Sequence, residues 1–346
     1  MTAEEVRAKA REKLRGHCGV YKDCDGQPGR MCQGNSYGSP IGIGGVGSGR
    51  SFANNFAALE KYHLKMRLIG PHFAPDTGTT LFGHAVSMPI YGAPVTGVNS
   101  FGGEEVISET AFCNDTVQGC KEAGTIGWRG DTYTYDEDHV YGIEAIRAAG
   151  GWGIKICKPR QQAIVKRILK KAEEAGALAV GVDVDGCGSY AMNRHQKPVA
   201  RKSLEELREL VECTSLPFII KGIMCVEDAL DVAKIGAKAV VVSNHGGRVL
   251  DHTPGTADVV QKIADAVKGE LTVLVDGGIR TGYDVLKMLA LGADGVLVGR
   301  DLVRASVGAG SEGVKTHMQY LQTTLVKAML MTNCPDLASI HPGILC

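Results

Sequence analysis

Short apolar runs alternate with helix-patterned stretches along the chain from residue 88 onward. Each run is about one strand long, and the eight runs are 89–93, 125–129, 152–157, 178–184, 217–221, 239–243, 272–275 and 295–298. The runs are apolar nearly throughout, which is typical of parallel strands that are buried on both faces. Eight such units in sequence predict a closed (β/α)8 (TIM) barrel, with an open doubly wound sheet as the competing arrangement.

Helical periodicity fills the stretches between these runs and continues at both ends of the chain. Ser203 and Glu206 have the spacing of a capping box at the start of one helix. We expect an N-terminal helical and Gly-rich extension at 1–60 and the barrel at 61–346. The predicted helices are 3–15, 51–61, 104–122, 160–175, 203–213, 226–236, 256–267, 282–291 and 311–332.

Residues 17–50 break this periodicity. The segment is rich in glycine and contains Cys18, Cys24 and Cys32. This composition predicts irregular structure, and we expect it to form a lid or plug. The spacing of the three cysteines matches no common metal pattern, so packed thiols are favoured over a metal or iron–sulfur site, and no metal is predicted.

Charge and cysteine content narrow the class of protein. The 38 basic residues balance the 38 acidic ones, which argues against nucleic acid or an anionic membrane as a partner. No apolar run approaches the length of a membrane span, and the charged N-terminus lacks an apolar signal core. The odd number of cysteines, 11, indicates reduced thiols rather than a disulfide framework. We therefore expect a cytoplasmic protein.

Polar and charged residues collect at the carboxyl ends of five predicted strands. All carboxyl ends of a parallel barrel face the same rim, so these groups predict a ligand site there. The alternative, that a residue merely orients a loop, is kept for Asp183. The residues at these ends are Asp183, Asp185, Lys221, Ser243, Asn244, His245, Asp276, Gly299 and Arg300.

Two glycine–arginine turns follow the last two predicted strands. Glycines let backbone N–H groups approach an anion, and helix starts and arginines add positive potential. Barrels often bind phosphate at these two strands, so the turns predict a phosphate site rather than tight turns with surface arginines. The turns contain Asp276, Gly277, Gly278, Arg280, Gly299 and Arg300.

The segment 242–251 carries the residues best suited to catalysis. His245 leaves the sixth predicted strand, and Arg248 follows it after two glycines. Histidine is the side chain best able to take a proton near neutral pH, and arginine can hold a carboxylate through two parallel hydrogen bonds. A lone histidine is more often structural, but this pairing at a barrel rim predicts a catalytic site for a small molecule.

Four stretches, 221–223, 243–251, 276–282 and 289–300, strongly resemble the FMN-dependent 2-hydroxy acid oxidase and dehydrogenase family. Weaker similarity extends back to about residue 51. The resemblance implies a TIM barrel, FMN as cofactor, a small-molecule substrate and a homo-oligomer, either a tetramer or an octamer. It implies oxidation of a small 2-hydroxy acid or related metabolite by hydride-equivalent transfer to flavin N5.

The resemblance also implies a role for each matching residue. His245 looks like the base, Asp185 like the carboxylate that pairs with it, and Arg248 like the group that binds the substrate carboxylate. Lys221 corresponds to the lysine beside flavin N1 and O2, where an ammonium stabilises the charge of reduced flavin. The other residues implied in cofactor binding are Ala93, Pro94, Val95, Thr96, Lys155, Asp183, Ser243, Asp276, Gly277, Gly278, Arg280, Gly299 and Arg300.

The chain departs from the family pattern in the substrate pocket. The family's N-terminal tyrosine pair aligns with residues 41–42, and its second substrate tyrosine aligns with Cys157. Its flavin-contacting glutamine aligns with Lys155, and its tryptophan after the second strand falls near Thr132. Arg194 is the nearest counterpart of its second substrate arginine. Flavin binding and the His–Arg core therefore carry over, whereas the substrate pocket does not.

Other functions remain open at this point. An FMN isomerase of the type 2 isopentenyl diphosphate isomerase kind would use the same barrel, but its diphosphate substrate would require magnesium and further basic residues. A flavin reductase-type activity on another small substrate is a second alternative. A non-catalytic flavin or metabolite-binding protein is a third, and the presence of His245, Arg248, Asp185 and Lys221 argues against it.

Overall fold

The computed structural model describes residues 1–14, 45–134 and 139–346. Eight parallel strands form one sheet, and an antiparallel hairpin precedes them. The strands are β1 Thr79–Leu81, β2 His84–Val86, β3 Ile90–Gly92, β4 Trp128–Arg129, β5 Ile154–Cys157, β6 Ala179–Asp183, β7 Phe218–Ile223, β8 Ala239–Val242, β9 Thr272–Val275 and β10 Gly295–Val298. Each of the eight predicted runs overlaps one strand of the parallel sheet.

The sheet closes into a barrel. Its strands follow the order β3-β10-β9-β8-β7-β6-β5-β4, and all neighbours are parallel. A further parallel bridge joins Gly92 in β3 to Gly127, just before β4, and brings the two edges together. A Cβ atom at Gly127 would lie 2.8 Å from the carbonyl oxygen of Thr116, so glycine lets this edge pack closely against the helix Glu109–Glu122. The predicted (β/α)8 barrel is confirmed.

The interior of the barrel is packed at its amino-terminal end. Strand side chains alternate between the two faces of a sheet. Trp128, Ile154 and Ile156 point inward and belong to the interior cluster. Leu81 and Val86 of the β1–β2 hairpin join that cluster and cover the end of the barrel where the strands begin. This packing leaves the carboxyl ends of the strands for a ligand site.

Helices cover the outside of the barrel and bury their apolar faces in one continuous core with the strands. Ser203 forms the predicted capping box with Glu206. The sequence patterns did not predict α4 or α6, and both are short. The helices of the described segments are α1 Ala3–Lys13, α2 Arg50–Glu60, α3 Glu109–Glu122, α4 Tyr141–Ala148, α5 Gln162–Glu174, α6 Tyr190–Arg194, α7 Leu204–Glu212, α8 Val226–Ala233, α9 Val260–Ala266, α10 Gly282–Ala290 and α11 Arg300–Thr332.

Two helices of the predicted N-terminal extension pack against the barrel region. Helix α1 lies on α11, and a Cβ atom at Gly308 would come within 2.3 Å of the Val6 carbonyl oxygen. Helix α2 packs against the segments 245–247 and 256–258 at the rim. The division at residue 60 stays a prediction.

Part of the predicted extension lies outside the described residues. It includes Cys18, Cys24, Cys32 and the predicted lid or plug up to residue 44. None of the described helices is both long and apolar enough to span a membrane.

Candidate active site

The carboxyl ends of the barrel strands surround a cavity. Parallel register brings residues from different strands to the same level, as with Asp183 of β6 and Lys221 of β7. Asp185 and Ser243 are not part of the cavity lining, but both form hydrogen bonds with His245. The predicted site residues that line the cavity are Ala93, Pro94, Val95, Thr96, Asp183, Lys221, His245, Arg248, Asp276, Gly277, Gly278, Arg280, Gly299 and Arg300.

His245 and Asp185 form a hydrogen-bonded pair at one end of the cavity. Nδ1 of His245 lies 3.0 Å from each carboxylate oxygen of Asp185. The backbone N–H of His245 donates to Ser243 Oγ at 3.0 Å, which fixes the turn that carries the ring. An ionised carboxylate only accepts hydrogen bonds, so Nδ1 carries the ring proton and Nε2 presents a lone pair.

The surrounding charges set the protonation state of this pair. Burial opposes the ionisation of Asp185, but its partner His245 and the ammonium groups of Lys221 and Lys158 outweigh burial and hold its pKa well below the usual range. Burial lowers the pKa of His245, and the two lysines act in the same direction against the attraction of Asp185. The imidazole is therefore neutral at neutral pH and able to accept a proton.

Lys221 holds a positive charge in the middle of the cavity. Its Nζ donates to Ser243 Oγ at 2.9 Å and lies 3.4 Å from Asp276 Oδ2, while only 4% of the side chain is exposed. Burial lowers the pKa of an amine, but Asp276, Asp185 and Asp183 outweigh burial and raise the pKa of Lys221. The ammonium is positioned to stabilise negative charge on a bound ligand.

The turn at His245 requires the two glycines that follow it. The φ angles of His245, Gly246 and Gly247 are 57°, 61° and 79°, in the left-handed region that favours glycine. A Cβ atom at Gly246 would lie 2.4 Å from Arg300 Nη1, and one at Gly247 would lie 2.4 Å from the backbone nitrogen of Phe52. Arg300 Nη2 donates to the Gly246 carbonyl at 2.7 Å, so this turn packs directly against the predicted phosphate arginine.

The opposite end of the cavity consists of glycine backbone and arginine side chains. Gly277 and Gly278 have φ angles of 102° and 82°. Arg280 Nη1 lies 3.3 Å from Asp301 Oδ1, which also binds Arg304 at 2.5 Å. Burial opposes the ionisation of Asp301, but the two arginines outweigh it and hold its pKa below the usual range. Asp301, which does not line the cavity, thus orients the Arg280 side chain.

Helix α2 supplies aromatic supports that the sequence analysis missed. The guanidinium carbon of Arg300 lies 4.6 Å from the Phe52 ring centroid, and that of Arg280 lies 5.1 Å from Phe56. The two phenylalanines are four residues apart and share one face of the helix. Their spacing was visible in the sequence, but no sequence signal identified the arginines that they would meet.

Lys155 and Cys157 do not line the cavity. Lys155 Nζ donates to the carbonyl oxygen of residue 130, and Cys157 is buried in the core that the barrel shares with its outer helices. Lys158, which the sequence analysis did not single out, lines the cavity instead. Side chains alternate along a strand, so the inward positions are 154, 156 and 158. This period of two was the signal that could have identified Lys158.

Lys158 lies within a cluster of acidic and imidazole groups. Its Nζ is 2.5 Å from Asp183 Oδ2 and 3.4 Å from His245 Nε2. Ligand atoms of Asp183, Asp185 and His245 lie within 4.8 Å of one another, a spacing that could hold a metal ion. The ammonium of Lys158 is close enough to repel such a cation. The absence of a metal from the site stays a prediction.

The structure describes some of the positions at which the sequence is expected to depart from the family pattern. Thr132 and Tyr133 line it, and the Tyr133 ring stacks on His195 with centroids 3.9 Å apart. Arg194 lies on α6 beside His195 but is not among the described residues that line the cavity. Residues 41–42, the counterpart of the tyrosine pair, lie outside the described residues.

The lining has the chemistry that FMN requires. Asp276 Oδ1 is buried and has no hydrogen-bond partner within the described segments, so ribityl hydroxyl groups could satisfy it. Gly277 and Gly278 permit close approach of a ligand to the backbone, and Arg280 and Arg300 can bind a phosphate. These residues would hold the phosphate and ribityl chain, with Lys221 towards the ring.

Comparison with known proteins identifies the family. The model of the FMN-dependent dehydrogenase family matches residues 42–202 and 189–346. 2-Hydroxyacid oxidase 1 of Homo sapiens is 30% identical over 344 residues, covering 86% of this chain and 88% of that protein. 2-Hydroxyacid oxidase 2 of Bos taurus is 32% identical over 322 residues, covering 84% of this chain and 88% of that protein.

Solved structures agree with this assignment. A mandelate oxidase variant with 2-hydroxy-phenylacetamide has a TM-score of 0.79 and 26% identity, covering 100% of this chain and 97% of that one. A mandelate oxidase mutant with an FMN adduct has a TM-score of 0.73 and 28% identity, covering 88% and 92%. The matched proteins are oxidases and dehydrogenases, so the isomerase alternative is not favoured. This chain belongs to the FMN-dependent dehydrogenase family and is an oxidoreductase with FMN as its cofactor.

Proposed function

We propose that the protein oxidises a small 2-hydroxy acid and that His245 is the base. The observation that carries this proposal is the pairing of His245 with Asp185, which places the ring proton on Nδ1 and makes Nε2 the basic atom, in a cavity that Arg248 also lines. The names of the similar proteins from Homo sapiens and Bos taurus support the same substrate class.

Each side chain of the site has a separate role in the proposed reaction. Arg248 binds the substrate carboxylate through its guanidinium and so orients the carbon that carries the hydroxyl group. His245 Nε2 takes the hydroxyl proton, and Asp185 stabilises the resulting imidazolium. Lys221 holds positive charge beside the cofactor position. Bound FMN supplies the acceptor for the hydride equivalent.

Anaerobic reduction of the bound flavin tests the substrate class. We expect one or more small 2-hydroxy acids to bleach the flavin absorbance, whereas reduced nicotinamides leave it unchanged. Bleaching by a nicotinamide alone would favour a flavin reductase-type activity. A protein that binds FMN but is reduced by neither group of compounds would contradict the proposal.

Replacement of His245 tests its role as the base. Asparagine tolerates the positive φ angle at this position better than alanine and is not a base at neutral pH. We expect His245→Asn to slow flavin reduction about 10²–10⁴-fold, the usual contribution of a general base. FMN should remain bound, because we assign its phosphate to Arg280 and Arg300, which the substitution leaves in place. His72→Asn, at an exposed position outside the cavity, is the matched control.

We further propose a cytoplasmic homo-oligomer, either a tetramer or an octamer. The eight cysteines of the described segments are free thiols, which suits a reducing compartment. A similar Arabidopsis thaliana protein is named as peroxisomal, so fractionation of cells should examine both compartments. Met66, Leu68 and Ile69 are exposed apolar side chains that a subunit interface could cover. Light scattering should give a multiple of the chain mass, and a monomer would contradict the assembly proposal.

A further inference from the structure

Lys158 is a cavity-lining cation to which the proposed mechanism assigns no role. It follows β5 directly, and its side chain is 12% exposed. Pro159 restricts the backbone of Lys158 to extended conformations. A Cβ atom at Gly186 would lie 2.9 Å from Lys158 Cδ and 2.8 Å from Asp183 Oδ1, so that glycine makes room for the Lys158–Asp183 pair. The ammonium is therefore held in a defined position.

The Lys158–Asp183 pair retains capacity to bind a ligand. A lysine ammonium has three N–H donors. One of them meets Asp183 Oδ2 at 2.5 Å, and a second faces His245 Nε2 at 3.4 Å. Asp183 Oδ1 is buried without a hydrogen-bond partner in the described part of the chain. Lys158, which lines the cavity, thus keeps a third N–H donor without a partner among the described residues.

Lys158 also lies next to His245 Nε2, the atom that accepts the proton in the proposed reaction. Its Nζ is the charged group that directly faces His245 Nε2, while Asp185 occupies the other ring nitrogen. A substrate hydroxyl can reach Nε2 only if Lys158 turns towards another partner. An anionic group of the substrate is the natural partner, because it offers a stronger hydrogen bond than a neutral imidazole.

We propose that Lys158 is a substrate-binding residue which, together with Arg248, selects ligands with a carboxylate and uncovers His245 Nε2 when that carboxylate binds. The proposal deepens the proposed function and rests on it for the identity of the substrate. The proposal places a second cation beside the base, directly after β5 and one residue beyond Cys157, with which the family's second substrate tyrosine aligns. An uncharged ligand of the same shape would leave Lys158 on His245.

Ligand binding tests the proposal without turnover. Pyruvate and benzoylformate are the carboxylate probes, pyruvamide is the uncharged analogue, and the perturbed absorbance of the FMN-loaded protein reports binding. We expect Lys158→Gln to weaken the better carboxylate probe about 10–100-fold, the effect of losing one charge-assisted hydrogen bond. Lys158→Arg should recover part of that loss, and pyruvamide affinity should be the same in all variants.

Matched controls separate a specific role from a structural one. Lys166→Gln removes an exposed ammonium on α5 that pairs with Glu209 and should change no affinity. If Lys158→Gln binds FMN normally and binds both carboxylates as tightly as the unmodified protein, the proposal is overturned. Equal weakening of pyruvamide and the carboxylates would also overturn it, because the effect would then not depend on charge. The proposal would likewise be overturned if the unmodified protein bound neither carboxylate.

The kinetics distinguish this proposal from the proposed function. For a 2-hydroxy acid that reduces the flavin, Lys158→Gln should raise KM more than it lowers kcat. The groups that face His245 are Asp185, Asp183, Lys158 and Lys221, and loss of one ammonium should move the acid limb of kcat/KM to higher pH. A protein that binds carboxylates through Lys158 but is reduced by no 2-hydroxy acid would retain this inference and reject the proposed substrate class.

Discussion

The two ends of the cavity are built from different parts of the chain. The end that we propose for the phosphate consists of glycine backbone and arginines from two short contiguous segments, 276–280 and 299–300. The end around His245 is assembled from single side chains that follow β5, β6 and β8. Backbone sites tolerate little change because most other residues are strained at the positive φ angles that glycine adopts there. A side-chain site can change through one substitution, and Lys158 is at such a position.

We propose that this contrast lets the cofactor chemistry of the family be kept while the substrate pocket changes. The ends contact each other where Arg300 donates to the carbonyl of Gly246 and where Asp276 Oδ2 lies 3.4 Å from Lys221 Nζ. Elsewhere they have separate supports, Asp301 behind Arg280 and Asp185 behind His245. Variants at one end should therefore leave the function of the other nearly intact.

The largest separable effect is expected from Asp185→Asn. The substitution removes the negative charge that fixes the His245 tautomer and stabilises the imidazolium, so flavin reduction should slow by on the order of 10²–10⁴-fold. FMN affinity should remain within about twofold of the unmodified protein. Stopped-flow reduction and a flavin titration measure the two quantities.

Asp231→Asn is the control for that variant, since Asp231 pairs with Lys234 on the exposed surface. A large loss of FMN from Asp185→Asn would show that the two ends are not independent.

The opposite pattern, weaker FMN binding with a nearly normal reduction rate, is expected from Arg280→Met. Loss of one charge-assisted hydrogen bond to phosphate should weaken FMN binding about 10–100-fold. Once the protein is saturated with FMN, its reduction rate should be close to normal. Arg208→Met, which removes an arginine from the exposed face of α7, should leave FMN affinity unchanged. Unchanged affinity in Arg280→Met would remove this arginine from the phosphate site.

A change in pH should have a smaller effect on kcat/KM than these substitutions. Burial lowers the pKa of His245 below its usual value of 6.5, so the base stays deprotonated below pH 6.5 and kcat/KM should begin to fall only at lower pH. The unfolded chain binds a proton on this histidine near pH 6.5, so its contribution to stability is present above that pH and declines as pH falls towards the folded pKa. An acid limb at or above 6.5 would contradict this account of the site.

The sequence carried enough information for the barrel and for the glycine–arginine turns that line part of the cavity. Strands β3 to β10 are short, mostly apolar and separated by helical stretches, and the glycine–arginine turns lie in contiguous segments, so local patterns located them. The placement of Lys158 depends on which face of β5 points inward. Phe52 and Phe56 depend on how α2 docks on the rim, which no local pattern determines.

Lys155 shows that the direction of a strand side chain can also make a sequence-based assignment wrong. Alignment by residue type put it at the flavin, whereas strand alternation turns it away from the cavity, towards the carbonyl of residue 130. The β1–β2 hairpin was also missed, because its three-residue strands are too short to show a period.

The most direct test of the account is a crystal structure of the FMN-loaded protein with bound pyruvate. We predict the phosphate between Arg280 and Arg300, and the pyruvate carboxylate within hydrogen-bond distance of both Arg248 and Lys158. The 2-oxo oxygen should lie next to His245 Nε2. A phosphate bound away from the two arginines, or a carboxylate that avoids His245 and Lys158, would contradict the division of the cavity into these two ends.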